Sequence, residues 1–165
     1  MNEFKALVTV RFMSKGDEAD SRLNQNGVET EFNILHAKRT EDEMIAILKD
    51  KDATVASSDP FTARVMENCP KLRVIARVGV GYDAVDLAAA TRHDVAVTFA
   101  PGTNQGSVSE HAFALILALS RNIISQHAGT AAARWPRGSM VPIRGQTLGL
   151  AGLGRIGKAM ASRAF

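Results

Sequence analysis

The sequence predicts an α/β fold, in which a doubly wound parallel sheet is followed by a long helix and one further strand–helix unit. Over the first hundred residues, short apolar runs alternate with helical patterns. Strands joined by helices in this way run parallel, because a crossover brings the chain back to the same end of the sheet. The alternation stops at "FAPGTNQGS", where a long apolar helical stretch begins. We therefore expect two parts, residues 1–100 and residues 101–165.

The first part contains five apolar runs that are typical of strands. Each lies next to a segment with helical signals, which is the order that a parallel doubly wound sheet requires. The predicted strands are Lys5–Val10, Glu31–Leu35, Thr54–Ser57, Arg73–Val78 and Val95–Phe99.

The helices between these strands begin at recognisable caps. Residues 17–26 predict a helix that Gly27 ends. Thr40 begins the next helix, with Glu43 at the capping-box position. Asp59 followed by proline is an N-cap and first-position proline pair, so we expect a third helix to start there.

The second part opens with a helix over about 105–122. Between Ala112 and Leu119 it is apolar on nearly every face, so we expect a second domain or subunit to bury it. The stretch "AAARWPRGSMVPIRG" predicts a loop or arm. Residues 147–151 are then typical of a short strand and 155–163 of a helix start, and we expect another chain to support this strand.

Two glycine loops are candidates for the dinucleotide-binding site. A strand-to-helix turn that holds a pyrophosphate needs three glycines. One lies at the tightest point of the turn, one lies where the backbone approaches the phosphates, and one lies where the helix packs on the strand. Both "GLGRIG" at 152–157 and "GVGYDA" at 79–84 fit this spacing. The loop 152–157 contains Arg155 and is followed by Lys158, whereas the loop 79–84 contains Asp83, which would repel phosphate. Charge therefore favours 152–157, and Asp83 and Asp86 are expected to be turn and helix-cap residues.

Composition excludes several classes of protein. The chain is 45% hydrophobic and 22% charged, which is ordinary for a globular protein, and its formal charge is +3. The basic residues are scattered, so we expect no nucleic-acid surface. The most apolar run, 112–119, is far shorter than the roughly 20 residues that span a membrane. A lone Cys69 and the polar start "NEFK" indicate a cytoplasmic protein.

The segment "RVIARVGVGYDAVDLAAATRHDVAVTFAPGTNQGSVSEHAFALILALSRNI", followed by "GQTLGLAGLGRIGKA", resembles the D-isomer-specific 2-hydroxyacid dehydrogenases, which include phosphoglycerate and formate dehydrogenases. The resemblance covers nearly the whole chain and is strongest over Leu72–Gly157. It implies a flavodoxin-like substrate domain and then the first βα unit of a Rossmann cofactor domain. The implied activity is NAD(P)-dependent hydride transfer to or from a small 2-hydroxy or 2-keto acid, with phosphoglycerate dehydrogenase-like members as the nearest guess.

The same resemblance implies roles for individual residues. The backbone N–H groups of Val78 and Gly79 would hold the substrate carboxylate, and Val108 would pack against the nicotinamide. Asn104 would face the substrate, a role that we weigh equally with capping the long helix. The residues implied around the pyrophosphate are Gly152, Gly154, Arg155, Ile156 and Gly157.

The resemblance implies no catalytic residue in this chain. The family's catalytic arginine, histidine and acid belong to sequence that follows, and the chain's four histidines (His36, His93, His111 and His127) do not match the family's histidine motif. We expect no metal site. Because half of the cofactor pocket is missing, we also expect the chain to be inactive alone and to bind NAD or NADP poorly.

The helix over 105–122 resembles the family's dimer-forming helix, which implies a homodimer. We expect Glu110 and His111 on it to make buried cap or interface contacts rather than chemistry. Two alternatives stay open beside the dehydrogenase reading: a dimeric interaction module without catalysis, and a truncated fragment.

Overall fold

The computed structural model describes residues 4–35 and 37–164. The chain is divided into two compact units, Met1–Pro101 (unit 1) and Gly102–Phe165 (unit 2). Of the four histidines discussed above, His36 lies outside the described residues.

Unit 1 is built on a five-stranded sheet whose paired strands are all parallel. The strand order is β2-β1-β3-β4-β5, so the direction in which strands are added reverses between β1 and β3. The predicted α/β doubly wound class is therefore confirmed. The strands are β1 Phe4–Val8, β2 Val28–Phe32, β3 Ala53–Ala56, β4 Val74–Arg77 and β5 Ala96–Thr98, and the helices are α1 Glu18–Gln25, α2 Glu41–Leu48, α3 Ala63–Glu67 and α4 Leu87–Arg92.

Strand β2 begins three residues earlier than the predicted Glu31–Leu35. Its register is fixed by pairing with β1, in which Phe4 lies opposite Val28 and Val8 lies opposite Phe32. This pairing is a tertiary event that the local apolar pattern does not contain.

The prediction that Asp59 starts a helix is wrong. The N-cap of α3 is Thr62, whose Oγ1 accepts the N–H of Val65 at 3.4 Å. The Asp59 carboxylate instead accepts hydrogen bonds from Thr9 and Arg39, so it is not free to cap. The caps predicted at Asp86 on α4 and at the Thr40–Glu43 capping box on α2 are confirmed, and Asp17 caps α1.

Unit 1 closes its own core. Side chains from the sheet and from helices α2 to α4 meet in one apolar cluster. The largest fully buried members of this cluster are Phe61, Leu7, Met44, Leu48, Met66, Leu72 and Ile75.

Unit 2 consists of helices and irregular segments. The predicted long helix is confirmed as α5, Gln105–Ser120, and the predicted start of the last helix is confirmed as α7, Arg155–Ala161. A further helix, α6 Ile123–Ala131, was not predicted, and it is separated from α5 by Asn122 in a left-handed conformation. The arm after α6 packs closely, since a Cβ on Gly129 would lie 2.5 Å from Pro136 Cγ.

One expectation about unit 2 differs from the structure. Residues 147–151 form no strand, because no other strand in the described part of unit 2 pairs with them. The burial of helix α5 by a second domain or subunit stays a prediction; within the chain, Ser109 is its one buried residue, and Leu119 is 79% exposed. In the described part of the chain, no helix is long and apolar enough to cross a bilayer.

Candidate active site

The loop 152–157 has the backbone geometry that its glycines predict. Gly152 has a φ of 101°, a region that L side chains rarely adopt. A Cβ on Gly157 would lie 2.3 Å from the carbonyl oxygen of Gly152, so no larger residue fits there without a shift. Gly154 is the N-cap of α7, and a Cβ built on it would meet nothing within 4 Å. Two of the glycines are thus required by the turn itself, and the third leaves its backbone open to close approach.

This loop presents a run of unpaired donors. Within the described residues, the N–H groups of residues 154–157 donate to no protein oxygen, and the first bond from this segment is Lys158 N–H to Gly154 O at 2.9 Å. Unpaired N–H groups at a helix start attract anions. The arrangement fits a phosphate, with the apolar side chain of Ile156 also partly exposed, at 39%.

Arg155 lies beside the segment that enters α5. Gly102 has a φ of 79°, and a Cβ built on it would lie 3.5 Å from Arg155 Nε. The Arg155 side chain forms no ion pair within the described residues. Its guanidinium therefore lies near Gly102 without a carboxylate to neutralise it.

Asn104 and Val108 lie at the start of α5. Asn104 occupies the N-cap position, but its side chain makes no capping hydrogen bond. Its carbonyl oxygen accepts the N–H of Val108 at 2.9 Å, and Val108 is 37% exposed. Of the two roles that the sequence left open for Asn104, the structure thus shows no side-chain cap.

The loop 78–84 follows β4 in unit 1. The N–H of Val78 donates to Ala56 O at 2.9 Å, so it extends the sheet and is already in use. Gly79 has a φ of 138°, and its carbonyl oxygen accepts the N–H of Ala100 at 2.8 Å. The N–H groups of residues 79–81 donate to no oxygen in the described part of the chain. Of the predicted pair, Gly79 rather than Val78 carries an available donor.

Arg77 braces this loop, and the sequence reading did not single it out. Its Nε and Nη2 donate to Gly81 O at 3.0 and 2.7 Å. Its Nη1 is buried and has no hydrogen-bond partner among the described residues. The signal that was available is position, since Arg77 is the last residue of a strand in a parallel sheet, where ligands bind.

Further polar residues gather where β1 and β3 end, and the sequence reading missed these too. Two adjoining cavities of about 320 and 480 Å³ open there. We call them the switch-point crevice, because they lie at the carboxyl ends of β1 and β3, between which the sheet order reverses. Both cavities are lined by Arg11, Ala37, Lys38 and Ser58.

A buried polar network holds the loops around this crevice. Arg39 Nη1 donates to Asp59 Oδ1 at 2.7 Å, and both side chains are less than a tenth exposed. Thr9 Oγ1 donates to Asp59 Oδ2 at 2.6 Å, and Arg39 Nη2 donates to Asn33 Oδ1 at 2.9 Å. The network joins the segments that follow β1, β2 and β3, so it fixes the walls of the crevice.

The loop after β1 is held by two carboxylates. Asp17 Oδ1 accepts the N–H of Asp20 at 2.8 Å, and Asp20 Oδ2 accepts the N–H of Gly16 at 2.6 Å. The pKa of Asp20 lies below its ordinary value, chiefly because the Thr30 hydroxyl donates to the carboxylate. The pKa of Asp17 is lowered too, chiefly by the N–H of Asp20. These bonds fix the loop that carries Arg11.

The residues expected to lack a chemical role are dispersed. His93 ends α4, and His111 and His127 lie exposed on α5 and α6. Glu110 makes no buried cap contact within the chain: its side chain is 69% exposed and pairs with Arg163 at 2.8 Å, and an interface contact stays a prediction. Among the described residues, no group of three or more His, Cys, Asp or Glu side chains is placed to hold a metal ion.

Comparison with known proteins places this geometry in a family. Residues 8–158 match the model of the D-isomer specific 2-hydroxyacid dehydrogenase catalytic domain. The chain is 44% identical over 124 residues to a D-3-phosphoglycerate dehydrogenase from Mycobacterium leprae, covering 73% of this chain and 24% of that protein. It is 32% identical over 157 residues to a glyoxylate reductase from Pyrococcus furiosus, covering 88% of this chain and 47% of the relative.

Solved structures agree with this placement. The TT0316 protein from Thermus thermophilus aligns over 97% of this chain and 52% of its own, with a TM-score of 0.86 and 31% identity. An NAD-dependent formate dehydrogenase from Staphylococcus aureus, solved in complex with NAD, aligns over 96% of this chain and 52% of its own, with a TM-score of 0.72 and 27% identity.

The chain spans about half or less of the length of the proteins that it matches. The matched region runs through both glycine loops and through strands β2 to β5. On this evidence, the chain belongs to the D-isomer specific 2-hydroxyacid dehydrogenase family.

Proposed function

We propose that this chain supplies the substrate-binding part and the pyrophosphate loop of an NAD(P)-dependent 2-hydroxyacid dehydrogenase. Residues 1–100 would bind the acid, and residues 101–165 would provide a dimer helix, an arm and the start of the cofactor domain. The nicotinamide, when bound, supplies the hydride acceptor or donor for the carbon that bears the hydroxyl or keto group. We place the protein in the cytoplasm, in keeping with Cys69, which is a free, buried thiol.

The observation that carries this proposal is the fit of the loop 152–157 to a dinucleotide phosphate. The Gly157 Cβ position is blocked by Gly152 O at 2.3 Å, so the turn admits only glycine as it stands. The backbone at Gly154 is open to close approach, and the unpaired N–H groups of 154–157 can donate hydrogen bonds to a bound anion. Arg155 adds a positive charge, and Ile156 an apolar contact.

The substrate would bind through its carboxylate to the glycine loop after β4. The N–H groups of residues 79–81 have no acceptor within the described residues, whereas the Val78 N–H is engaged with Ala56 O. The uncapped side chain of Asn104 would face the substrate, and the partly exposed Val108 would pack against the nicotinamide. Phosphoglycerate dehydrogenase-like chemistry is favoured by the 44% identity to such a relative, and a glyoxylate reductase-like activity is the second candidate.

We propose that the chain is inactive alone. His93, His111 and His127 form no ion pair with a carboxylate in the described part of the chain. A general acid–base histidine has to reach the proton that it moves, and these three do not match the family's histidine motif. The arginine, histidine and acid of the reaction would therefore be supplied by a segment other than residues 1–165.

A homodimer through α5 forms part of the proposal. Leu115 and Leu119 of α5 are 51% and 79% exposed, and Ile124 at the start of α6 is 75% exposed. Apolar side chains gathered on one helical region mark a contact surface. The same observation favours the alternative that the chain is a dimeric interaction module without catalysis.

A chimera tests the dehydrogenase proposal. Residues 8–158 would replace the matching segment of the Pyrococcus furiosus glyoxylate reductase, and the product would be assayed for NADH- and NADPH-dependent reduction of glyoxylate and hydroxypyruvate. We expect turnover in the chimera and none in the 165-residue chain. Replacing Gly157 by Ala in the chimera should abolish turnover, while Gly149→Ala, whose Cβ meets nothing within 4 Å, should preserve it.

A chimera that folds, as judged by circular dichroism and by the mass of the parent relative, but gives no turnover with either cofactor would contradict the proposal. If the chain forms a dimer but does not bind NADH, and the chimera gives no turnover, the interaction module without catalysis would be favoured instead.

A further inference from the structure

Helices α5 and α7 of unit 2 carry different parts of the candidate cofactor site, and they pack against each other. The start of α7 carries the loop 152–157, and the start of α5 carries Asn104 and Val108. A dinucleotide joins its pyrophosphate to its nicotinamide through one ribose, so both groups bind together only if the two helices keep a fixed spacing. Whatever holds α7 against α5 therefore bears on cofactor binding.

Apolar packing between the two helices is thin. Met160 is the one buried residue of α7, and Ser109 is the one buried residue of α5. The Ser109 hydroxyl donates to Gly106 O at 2.7 Å, within its own helix. So small a buried surface gives few close contacts, and packing alone defines the crossing of the helices weakly.

An ion pair supplies a second link between them. Arg163 Nη2 donates to Glu110 Oε1 at 2.8 Å, and Arg163 Nη1 donates to Ala159 O of α7 at 2.9 Å. The bond to Ala159 holds the guanidinium on its own helix, so less side-chain entropy is lost when it meets Glu110. At the start of α7, Arg155 Nε lies 3.5 Å from the Cβ position of Gly102. Side chains near both ends of α7 thus meet α5 or the segment that enters it.

Glu110 is the one carboxylate side chain of unit 2. Residues 102–165 contain seven Lys and Arg side chains beside it. Arg163 takes this carboxylate, whereas Arg155 and Lys158, in and after the loop 152–157, form no ion pair in the described part of the chain. The pair therefore links the two helices and leaves the cations at the loop available.

We propose that Glu110 and Arg163 are positioning residues for the dinucleotide, because their ion pair holds α7 against α5 so that the loop 152–157 and Val108 meet one cofactor together. The inference rests on the function proposed above and adds two residues that act through the loop. The Glu110 side chain is 69% exposed and that of Arg163 is 30% exposed, so the effect should be modest. An exposed pair changes an equilibrium constant by about two- to fivefold.

An NADH titration of the ¹⁵N-labelled 165-residue chain tests the inference, with the affinity read from the amide shifts of residues 152–157. We expect Glu110→Ala and Arg163→Ala each to weaken binding by about two- to fivefold. The double variant should bind no more weakly than the single variants, because the first substitution already breaks the pair. Glu110→Ala discriminates best, since it makes the chain more positive and would strengthen anion binding if charge alone mattered.

Arg121→Ala is the matched control for the loss of a cation. Arg121 is exposed at the end of α5 and forms no ion pair within the described residues, so its loss should leave the NADH affinity unchanged. Hydrogen exchange of the α7 amides gives a second readout, and we expect their protection to fall in both single variants. Thermal unfolding followed by circular dichroism should stay native, because the core of unit 1 is untouched.

The possible results separate this inference from the function on which it rests. Native NADH affinity in Glu110→Ala or Arg163→Ala, even with lower protection of α7, would assign the pair a purely structural role and overturn the inference alone. Tighter NADH binding by Glu110→Ala would also overturn it, because the carboxylate would then act by charge. If NADH does not shift residues 152–157 of the native chain, both the inference and the proposed function are overturned.

Discussion

Unit 1 and unit 2 solve the problem of burying apolar surface in opposite ways. In unit 1, Phe61, Leu7 and Met44 are fully buried by the chain's own sheet and helices. In unit 2, the apolar helix α5 keeps Leu115 half exposed and Leu119 at 79% exposure. Unit 1 therefore has the core that independent folding needs, whereas unit 2 has apolar surface without cover inside the chain.

The difference teaches where stability and function reside. Burial of apolar surface is the main favourable term in folding, so most of the chain's stability should come from unit 1. The loop 152–157 in unit 2 depends on close backbone contact more than on a core, as the 2.3 Å approach at Gly157 shows. Substitutions in the two units should therefore act on different quantities.

The largest expected effect is in the core of unit 1. Replacing Phe61 by Ala leaves a cavity at a site with no exposure, and we expect the free energy of unfolding to fall by about 3–5 kcal/mol. Urea unfolding followed by circular dichroism measures it. The control is Phe12→Ala, since Phe12 is 70% exposed and its loss should cost about 0.5 kcal/mol or less. An equal loss of unfolding free energy in Phe61→Ala and Phe12→Ala would contradict the conclusion that the core of unit 1 stabilises the chain.

A smaller effect is expected for Gly157→Ala, because helix propensity and steric contact change the local stability of α7 in opposite directions. Helix propensity favours alanine over glycine by about 1 kcal/mol. The contact with Gly152 O opposes it, and we expect a net local loss of about 1–3 kcal/mol in Gly157→Ala. Hydrogen exchange of the α7 amides measures this, with Gly149→Ala as the control. Slower exchange in Gly157→Ala would show that the close contact does not constrain the loop.

The exposed face of α5 should govern association rather than folding. We expect Leu119→Glu to weaken dimer formation by about tenfold or more while changing the stability of unit 1 little. Sedimentation over a range of concentrations measures the association. Leu87→Glu, at a 45% exposed position on unit 1, is the control and should leave the mass unchanged. A native chain that is monomeric at all concentrations would remove the basis of this prediction.

The smallest effect concerns pH. The folded-state pKa of Asp20 lies below the ordinary value of 3.8, so its contribution to stability is present above that pH and is lost as the pH falls through the lowered value. Thr30→Val removes the hydroxyl that chiefly lowers the pKa, so the variant should be less stable at neutral pH. Its stability should also change less on acidification.

Urea unfolding at pH 7 and pH 3 measures this difference. The control is Thr98→Val, at an exposed position on β5. An acid dependence that is identical in Thr30→Val and the native chain would show that the hydrogen bond to Asp20 does not govern it.

Local signals predicted most of the fold. The Thr40–Glu43 capping box depends on residues three positions apart, and it is confirmed. The start of β2 and the role of Asp59 depend on distant partners, namely strand β1 and Arg39. No local pattern contains those pairings, so the sequence reading placed β2 three residues late and made Asp59 a cap.

The candidate site also has one part that the local sequence predicts and another that depends on the tertiary fold. The glycine spacing at 152–157 is local, and the geometry of Gly152 and Gly157 agrees with it. The switch-point crevice is assembled from Arg11, Lys38 and Arg77, which come from three separate loops, and it becomes visible only when the sheet order is known. The Val78 donor was misjudged because the bond to Ala56 belongs to the sheet.

The central claim is that the loop 152–157 is the seat of a nicotinamide dinucleotide's pyrophosphate. The most direct measurement is an NADH titration of the ¹⁵N-labelled 165-residue chain, followed by amide shifts, with Gly157→Ala measured in parallel. The account predicts weak, saturable shifts confined to residues 152–157 and the start of α5, and their loss in the variant. Shifts that leave 152–157 unchanged at millimolar NADH, or that persist in Gly157→Ala, would contradict it.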